Sequence, residues 1–259
     1  MTTLRDAYDQ LGRLLPEVEP FDALERAEAH RAFWRPPAVR VVLLAESHVF
    51  TSAPDMERRI VRLPGAPVGI PPGFVRLVYC LGYGENDILD RRITEPPNAG
   101  TPQFWRIFAS SVDGSPRSSD FRATLGSSVP SHVRVANKLA LLGRLRDAGV
   151  WLLDASPAAL YGPGGTKPSS RTIDQAIDVG YELHVRHAIE AAKPSEIICV
   201  GKGVGDVLAT RLRRTGASIT VVPQPNARVT TAEHDLALAT YRSVVRRGTG
   251  IRHERATPC

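Results

Sequence analysis

Four short segments of this sequence gather residue types that can do chemistry. Glu46-Ser47-His48 sets a carboxylate, a hydroxyl and an imidazole within three positions. Asp154-Ala155-Ser156-Pro157 adds a second carboxylate. Gly201-Lys202-Gly203 places an ammonium between two glycines, and Gln224-Pro225-Asn226-Ala227-Arg228 supplies amides and a guanidinium. A carboxylate and an imidazole can orient water or move a proton. A glycine turn opening a helix, with a lysine in it, can hold a phosphate through its amides.

The elements that must position these groups are legible around them. Each segment follows a short apolar run with the length of a buried strand: Val39–Ala45, Val150–Leu153, Glu196–Val200 and Ser218–Val222. Helical spacing marks Leu4–Leu15, with Pro16 behind it, and Asp22–Phe33, stopped before Pro36-Pro37. Further helices are predicted over Val133–Ala148, Thr172–Ala192, Val204–Thr215 and Thr230–Arg246. The middle is less regular. Phe74–Leu81 fits strand or helix, while Ser110–Ser131 and Gly162–Ser170 read as surface loops.

Strands alternating with helices imply parallel pairing through crossovers. The expectation is one three-layer α/β domain over residues 1–246, with a four-stranded parallel central sheet flanked by helices. Residues 1–36 form its N-terminal helices, and residues 247–259 are expected to be a disordered tail. In such sheets the ligand sits beyond the carboxyl ends of the strands. All four chemical segments lie there.

Composition narrows the classes. The 259 residues are 42% hydrophobic and carry a formal charge of +6, which excludes a disordered chain, a collagen and a disulfide scaffold. No apolar run approaches the roughly 18 residues of a membrane span, and Met1–Gln10 has no signal-peptide core. A cytoplasmic monomer without membrane contact is expected. The three cysteines, Cys80, Cys199 and Cys259, are too few for an iron–sulfur cluster and form no CxxC pair. The pair His184 and His187 reads as a solvated helix face, so neither a metal nor a cofactor is expected. Of the 33 basic residues, only Lys138, Lys167, Lys193 and Lys202 are lysines. Guanidinium forks match phosphate oxygens, which fits an anionic partner, nucleic acid first, although arginine-rich codon usage would give the same bias.

Familiar motifs fit poorly. In Gly201-Lys202-Gly203-Val204-Gly205 the third glycine comes one residue early for a dinucleotide fingerprint. The next strand ends in Pro223-Gln224 rather than in a ribose-binding acid. Gly162-Pro163-Gly164-Gly165-Thr166-Lys167 lacks phosphate-loop spacing, and no GxSxG elbow occurs.

The order and spacing of the four strand ends, across about residues 39–230, resemble the uracil-DNA glycosylase superfamily. Leu43-Leu44-Ala45-Glu46-Ser47-His48 is similar to the family's first motif, a strand and turn that position the hydrolytic water. Trp151-Leu152-Leu153-Asp154 is similar to the segment whose terminal Asn reads the uracil edge. Ile197–Gly205 resembles the penultimate strand, and Val222-Pro223-Gln224-Pro225-Asn226-Ala227 the minor-groove loop. Ala45 stands where glycine is usual, Asp154 where Asn is, and Val222 where many members carry His. The resemblance is to an atypical branch without an iron–sulfur cluster.

The resemblance implies a DNA-repair hydrolase that flips uracil out of DNA and cleaves its N-glycosidic bond. Glu46 would be the catalytic carboxylate, and His48 would donate to the uracil O2. Asp154 would contact the Watson–Crick edge, beside Ser47. It would accept N3–H if ionised, or donate to O4 if protonated. Phe104 is the candidate stacking platform, with Tyr83 second. Lys202, Gln224, Asn226 and Arg228 would contact DNA. Two other readings stay open: a non-catalytic binder of the same fold, and a nucleotide- or phosphate-binding enzyme using Gly201–Gly205.

Overall fold

The computed structural model describes residues 3–61, 63, 65–91, 102–113, 121–224 and 230–250. Helices α1 (Leu4–Leu14) and α2 (Phe21–Phe33) lead into strand β1 (Val41–Ala45). A single turn α3 (Ala53–Met56), helix α4 (Pro102–Val112) and a second single turn α5 (Arg122–Leu125) precede α6 (Ser131–Ala148). Strands and helices then alternate: β2 (Val150–Asp154), α7 (Ser170–Gly180), α8 (Arg186–Ala192), β3 (Glu196–Val200), α9 (Lys202–Leu212), β4 (Ser218–Val222) and α10 (Thr231–Thr249). A π turn over Tyr181–Val185 joins α7 to α8.

The four strands form one parallel sheet in the order β2-β1-β3-β4. Every residue of β1, β2 and β3 is buried, as expected for strands covered on both faces. Helix α10 packs on β1, β3 and β4 and against α4, which in turn contacts α6. Helix α9 packs on β3 and β4 and contacts α7, which contacts α1. The result is the expected three-layer α/β domain with helices flanking a four-stranded parallel sheet. Because β1 has β2 on one side and β3 on the other, the chain reverses direction across the sheet at β1. That reversal opens a crevice beyond the strands' carboxyl ends.

Three segments differ from the sequence reading. Residues 74–81 form neither strand nor helix, but a buried series of turns in which Leu77, Cys80 and Tyr83 donate to Val75, Leu77 and Cys80. The Tyr79 hydroxyl accepts from the Leu152 amide at 2.8 Å, which satisfies part of the outer edge of β2. Ser110 and Ser111 are not in a loop. They are buried in α4, carried there by a helix face containing Trp105, Ile107 and Phe108. The helix α10 runs three residues into the expected tail: Arg247 pairs with Glu196 at 2.6 Å, and the carbonyl of Thr249 accepts from Arg40. Residues 251–259 lie outside the described residues. No helix among the described residues is long and apolar enough to cross a membrane.

Candidate functional site

The crevice at the carboxyl edge is a cavity of about 770 Å³. Ala45 and Glu46 reach it from the end of β1, Asp154 from β2, Val200 from β3 and Gln224 from just past β4. The register explains the convergence. Ala45 pairs with Asp154, and Val200 with Val222, so four strands stop at one level and hand their next residues to one space.

Glu46 is half-buried on this cavity. Its Oε2 accepts from the Tyr161 hydroxyl at 2.9 Å and from Gln224 Nε2 at 3.4 Å. Burial and the neighbouring Glu46 charge both push the Tyr161 hydroxyl above its usual range, so Tyr161 stays a donor. Oε1 makes no hydrogen bond among the described residues. Gln224 is positioned by Gly201, whose φ of 120° is open to glycine; a Cβ there would lie 2.9 Å from Gln224 Cγ. Ser47 also lines the cavity, and its Oγ accepts from the Leu160 amide at 3.2 Å.

Asp154 is buried and ionised. Burial raises its pKa, but Arg31 and His48 outweigh that and hold it below the usual carboxylate range. Arg31 Nη2 donates to Asp154 Oδ2, and His48 Nδ1 lies 3.7 Å from the same oxygen. Oδ1 makes no hydrogen bond among the described residues. Of the two protonation states weighed from sequence, the ionised one is therefore the state in this fold.

His48 has other partners than a base oxygen. Its Nε2 lies 2.7 Å from Glu19 Oε1, and its side chain is fully buried. Burial pulls its pKa down, yet Glu19 and Asp154 raise it to about 9, so the ring is an imidazolium. Nε2 thus faces a carboxylate, while Nδ1 lies 3.2 Å from Arg31 Nη2 and 3.7 Å from Asp154 Oδ2. Glu19, between α1 and α2, also accepts from the Thr51 amide at 2.9 Å and the Ala159 amide at 2.8 Å. One buried carboxylate ties the chain leaving β1 to the chain leaving β2.

Phe104 lines the cavity from the first turn of α4, and Phe50 joins it from the β1 exit. Tyr83 does not. It is buried in the core, edge-on to Phe74 with centroids 6.5 Å apart. Lys202 is exposed at the start of α9, away from the cavity lining. Asn226 and Arg228 lie outside the described residues. The segment Gly162–Gly165, read as a surface loop, is part of the cavity wall next to Tyr161. Among the described residues no group of three or more His, Cys, Asp or Glu is arranged to hold a metal ion. His184 is paired with Glu28 at 3.2 Å.

Arg31, Glu19 and Tyr161 carry no sequence signal. An arginine inside a helix, a glutamate before Pro20 and a tyrosine before glycine are ordinary locally. Their roles arise from contacts spanning up to 140 residues. Neither a protein-family model nor a curated protein sequence matches this chain, so the roles of these side chains are argued from their own geometry and chemistry.

Proposed function

We propose that the protein is a DNA-repair glycosylase that flips uracil out of DNA and hydrolyses its N-glycosidic bond. The reading rests on one observation above all: the Glu46 carboxylate stands on the cavity at the reversal point of the sheet, with one oxygen braced and the other open. Cleavage builds positive charge on the sugar as the base departs with the bonding electrons. A carboxylate there stabilises that charge and accepts a proton from the water that adds to C1′. Tyr161 and Gln224 fix the carboxylate through Oε2 and leave Oε1 to water.

The rest of the cavity supports a base-binding role. Asp154 Oδ1, an acceptor only, suits the N3–H of uracil. Phe104 and Phe50 offer flat apolar surface for an unstacked base. Within this proposal His48 is a positioning residue, since Glu19, Arg31 and Asp154 surround its ring nitrogens. Gln224 acts on Glu46, and Lys202 contacts DNA only outside the cavity.

A non-catalytic binder is the second reading. It is favoured by the engagement of His48, which leaves the base oxygen O2 without the donor the resemblance implied. One assay separates the two. The protein is incubated with a uracil-containing single-stranded oligonucleotide and the product is treated with alkali. Strand breaks at the uracil position support the glycosylase; tight binding without breaks supports the binder.

A further inference from the structure

The amino ends of the four strands form the edge of the sheet opposite the cavity, and they gather charge of one sign. Backbone hydrogen bonds align the segments that enter the strands. Arg40 N donates to the Gly149 carbonyl at 2.8 Å, Ser195 N to the Arg40 carbonyl at 3.0 Å, and Ser218 N to the Ser195 carbonyl at 2.9 Å. The end of α10 closes the same edge. The Thr249 carbonyl accepts from Arg40 Nη1 at 2.7 Å, and a Cβ on Gly248 would lie 2.7 Å from Val41 Cγ2. These segments, 38–40, 146–149, 193–196, 213–217 and 246–250, hold seven basic side chains against two acidic ones, Asp147 and Glu196.

Glu196 is engaged by Arg247 through both oxygens, at 2.6 and 3.0 Å. Arg40, Arg146, Lys193, Arg213, Arg214 and Arg246 pair with no carboxylate among the described residues, and all but Arg146 are exposed. Helix dipoles do not absorb this charge. Helices α6, α8, α9 and α10 end at this edge, each end carrying about half a negative elementary charge. Those ends and the two carboxylates together match roughly four of the cations. Lys193 adds a conformational sign. It is the one non-glycine residue with a positive φ, 49°, among the described residues. Such a position after a helix ordinarily takes glycine or asparagine; here it holds a lysine on the edge.

We infer that this amino edge is a binding face for the phosphate backbone of a nucleic acid, separate from the cavity. Neighbouring strands stand about 4.8 Å apart, so the row from β2 to β4 spans roughly 14 Å, the axial rise of about four phosphates on one strand. Arginine outnumbers lysine in the row, and its fork matches phosphate oxygens. No large exposed apolar side chain lies in these segments. That favours a nucleic acid over a lipid surface, where apolar side chains insert. Five-residue strands set the edge roughly 16 Å from the cavity. The face therefore engages a stretch of backbone other than one whose base enters the cavity, and it does not depend on the glycosylase reading.

The test measures binding of a short undamaged DNA duplex, free of uracil, to the full-length protein by fluorescence anisotropy. A triple variant, Arg213→Gln with Arg214→Gln and Arg246→Gln, removes exposed charges that no carboxylate in the described fold engages. It should weaken duplex binding at least about tenfold at low salt and reduce the slope of log affinity against log salt by about two to three, close to 0.9 per phosphate contact. Arg171→Gln makes the same change in the first turn of α7, about 33 Å along the helical stretch that ends at Lys193, and should leave binding at the wild-type level. Lys193→Gly removes a charge and relieves the left-handed position, so it should melt no lower than wild type and still bind severalfold more weakly. Wild type that does not bind the duplex overturns the inference. So does a triple variant with wild-type affinity and salt slope, or an equal loss in Arg171→Gln. Phosphatidylserine vesicles and polyglutamate serve as rival anions, and tighter binding of either than of the duplex also overturns it. If the triple variant loses the duplex and wild type releases no uracil from a single-stranded oligonucleotide, the face stands and the glycosylase reading falls. If wild type releases uracil and the triple variant binds the duplex undiminished, the face alone falls.

Discussion

At the scale of single residues, the cavity is governed by which carboxylates are tied down. Asp154 and Glu19 are engaged by buried cations, while Glu46 has one oxygen open to the cavity. Asp154→Asn tests the first half of that statement. It removes one charge from a buried pair with Arg31, and losing one partner of such a pair costs on the order of 3 kcal/mol. Urea unfolding should show that loss; an unchanged midpoint would mean Arg31 does not depend on Asp154. His48 makes a second prediction, with a definite sign. Its pKa rises from an ordinary 6.5 to about 9 on folding. A raised pKa means that folding favours the protonated ring. The stabilisation is complete below pH 6.5 and is lost as pH climbs through 9, amounting to at most about 3 kcal/mol. Stability measured across pH 6 to 10 should fall in wild type and stay flatter in His48→Gln; parallel curves would refute a charged His48. That Glu46, Ser47, Asp154 and Gln224 meet in one place was legible, because each lies at or just past the end of a strand and strand ends converge. Their partners were not. The Arg31–Asp154 pair joins α2 to β2, and nothing near either residue in sequence announces the other. His48 was legible as a neighbour of the cavity but its partners were not, since Glu19 lies on the far side of β1 in the sequence.

At the scale of elements, strand ends and helix starts set the geometry. Strands β3 and β4 match the sequence reading residue for residue, and β1 and β2 differ only at their ends. Apolar runs this short are settled as strands by their length and by the breakers that flank them. Residues 74–81 were ambiguous because their burial follows no period. Their amides bond to one another in turns and to the β1 exit, and such non-local choices leave no pattern in the sequence. Gly180 shows how closely the helix formed by α7 and α8 approaches the β2 exit: a Cβ there would lie 2.8 Å from Pro157 Cδ and 2.9 Å from Ser156 Cα. Gly201 is the sharper test, because it controls the site. Gly201→Ala forces an L side chain to a φ of 120° and drives its Cβ into Gln224. The strain costs roughly 1–3 kcal/mol, and Gln224 is displaced from Glu46. Thermal melting should register the first effect and uracil excision the second. A stable variant with unchanged activity would detach Gln224 from the mechanism.

At the scale of the whole molecule, the fold supplies one large cavity at the edge where its four strands end, on a chain with a formal charge of +6. Several arginines are internally paired, as Arg31, Arg76 and Arg134 are with Asp154, Asp55 and Glu85. Under the glycosylase reading, the remaining basic side chains on the exposed surface, Lys202 among them, would be the ones to meet a polyanion. Affinity for a uracil-containing oligonucleotide should therefore fall about tenfold or more for a fourfold rise in salt, as counterions released by phosphate contacts reassociate. A flat dependence between 50 and 200 mM would argue against a nucleic-acid substrate. The central claim concerns Glu46, and single-turnover release of uracil tests it most directly. Wild type and Glu46→Gln are compared on the same single-stranded oligonucleotide, with binding measured alongside. The account predicts that wild type releases uracil, that Glu46→Gln releases it roughly a hundredfold or more slowly, and that both bind the oligonucleotide alike. Uracil release by Glu46→Gln at the wild-type rate, or none from wild type, would contradict it.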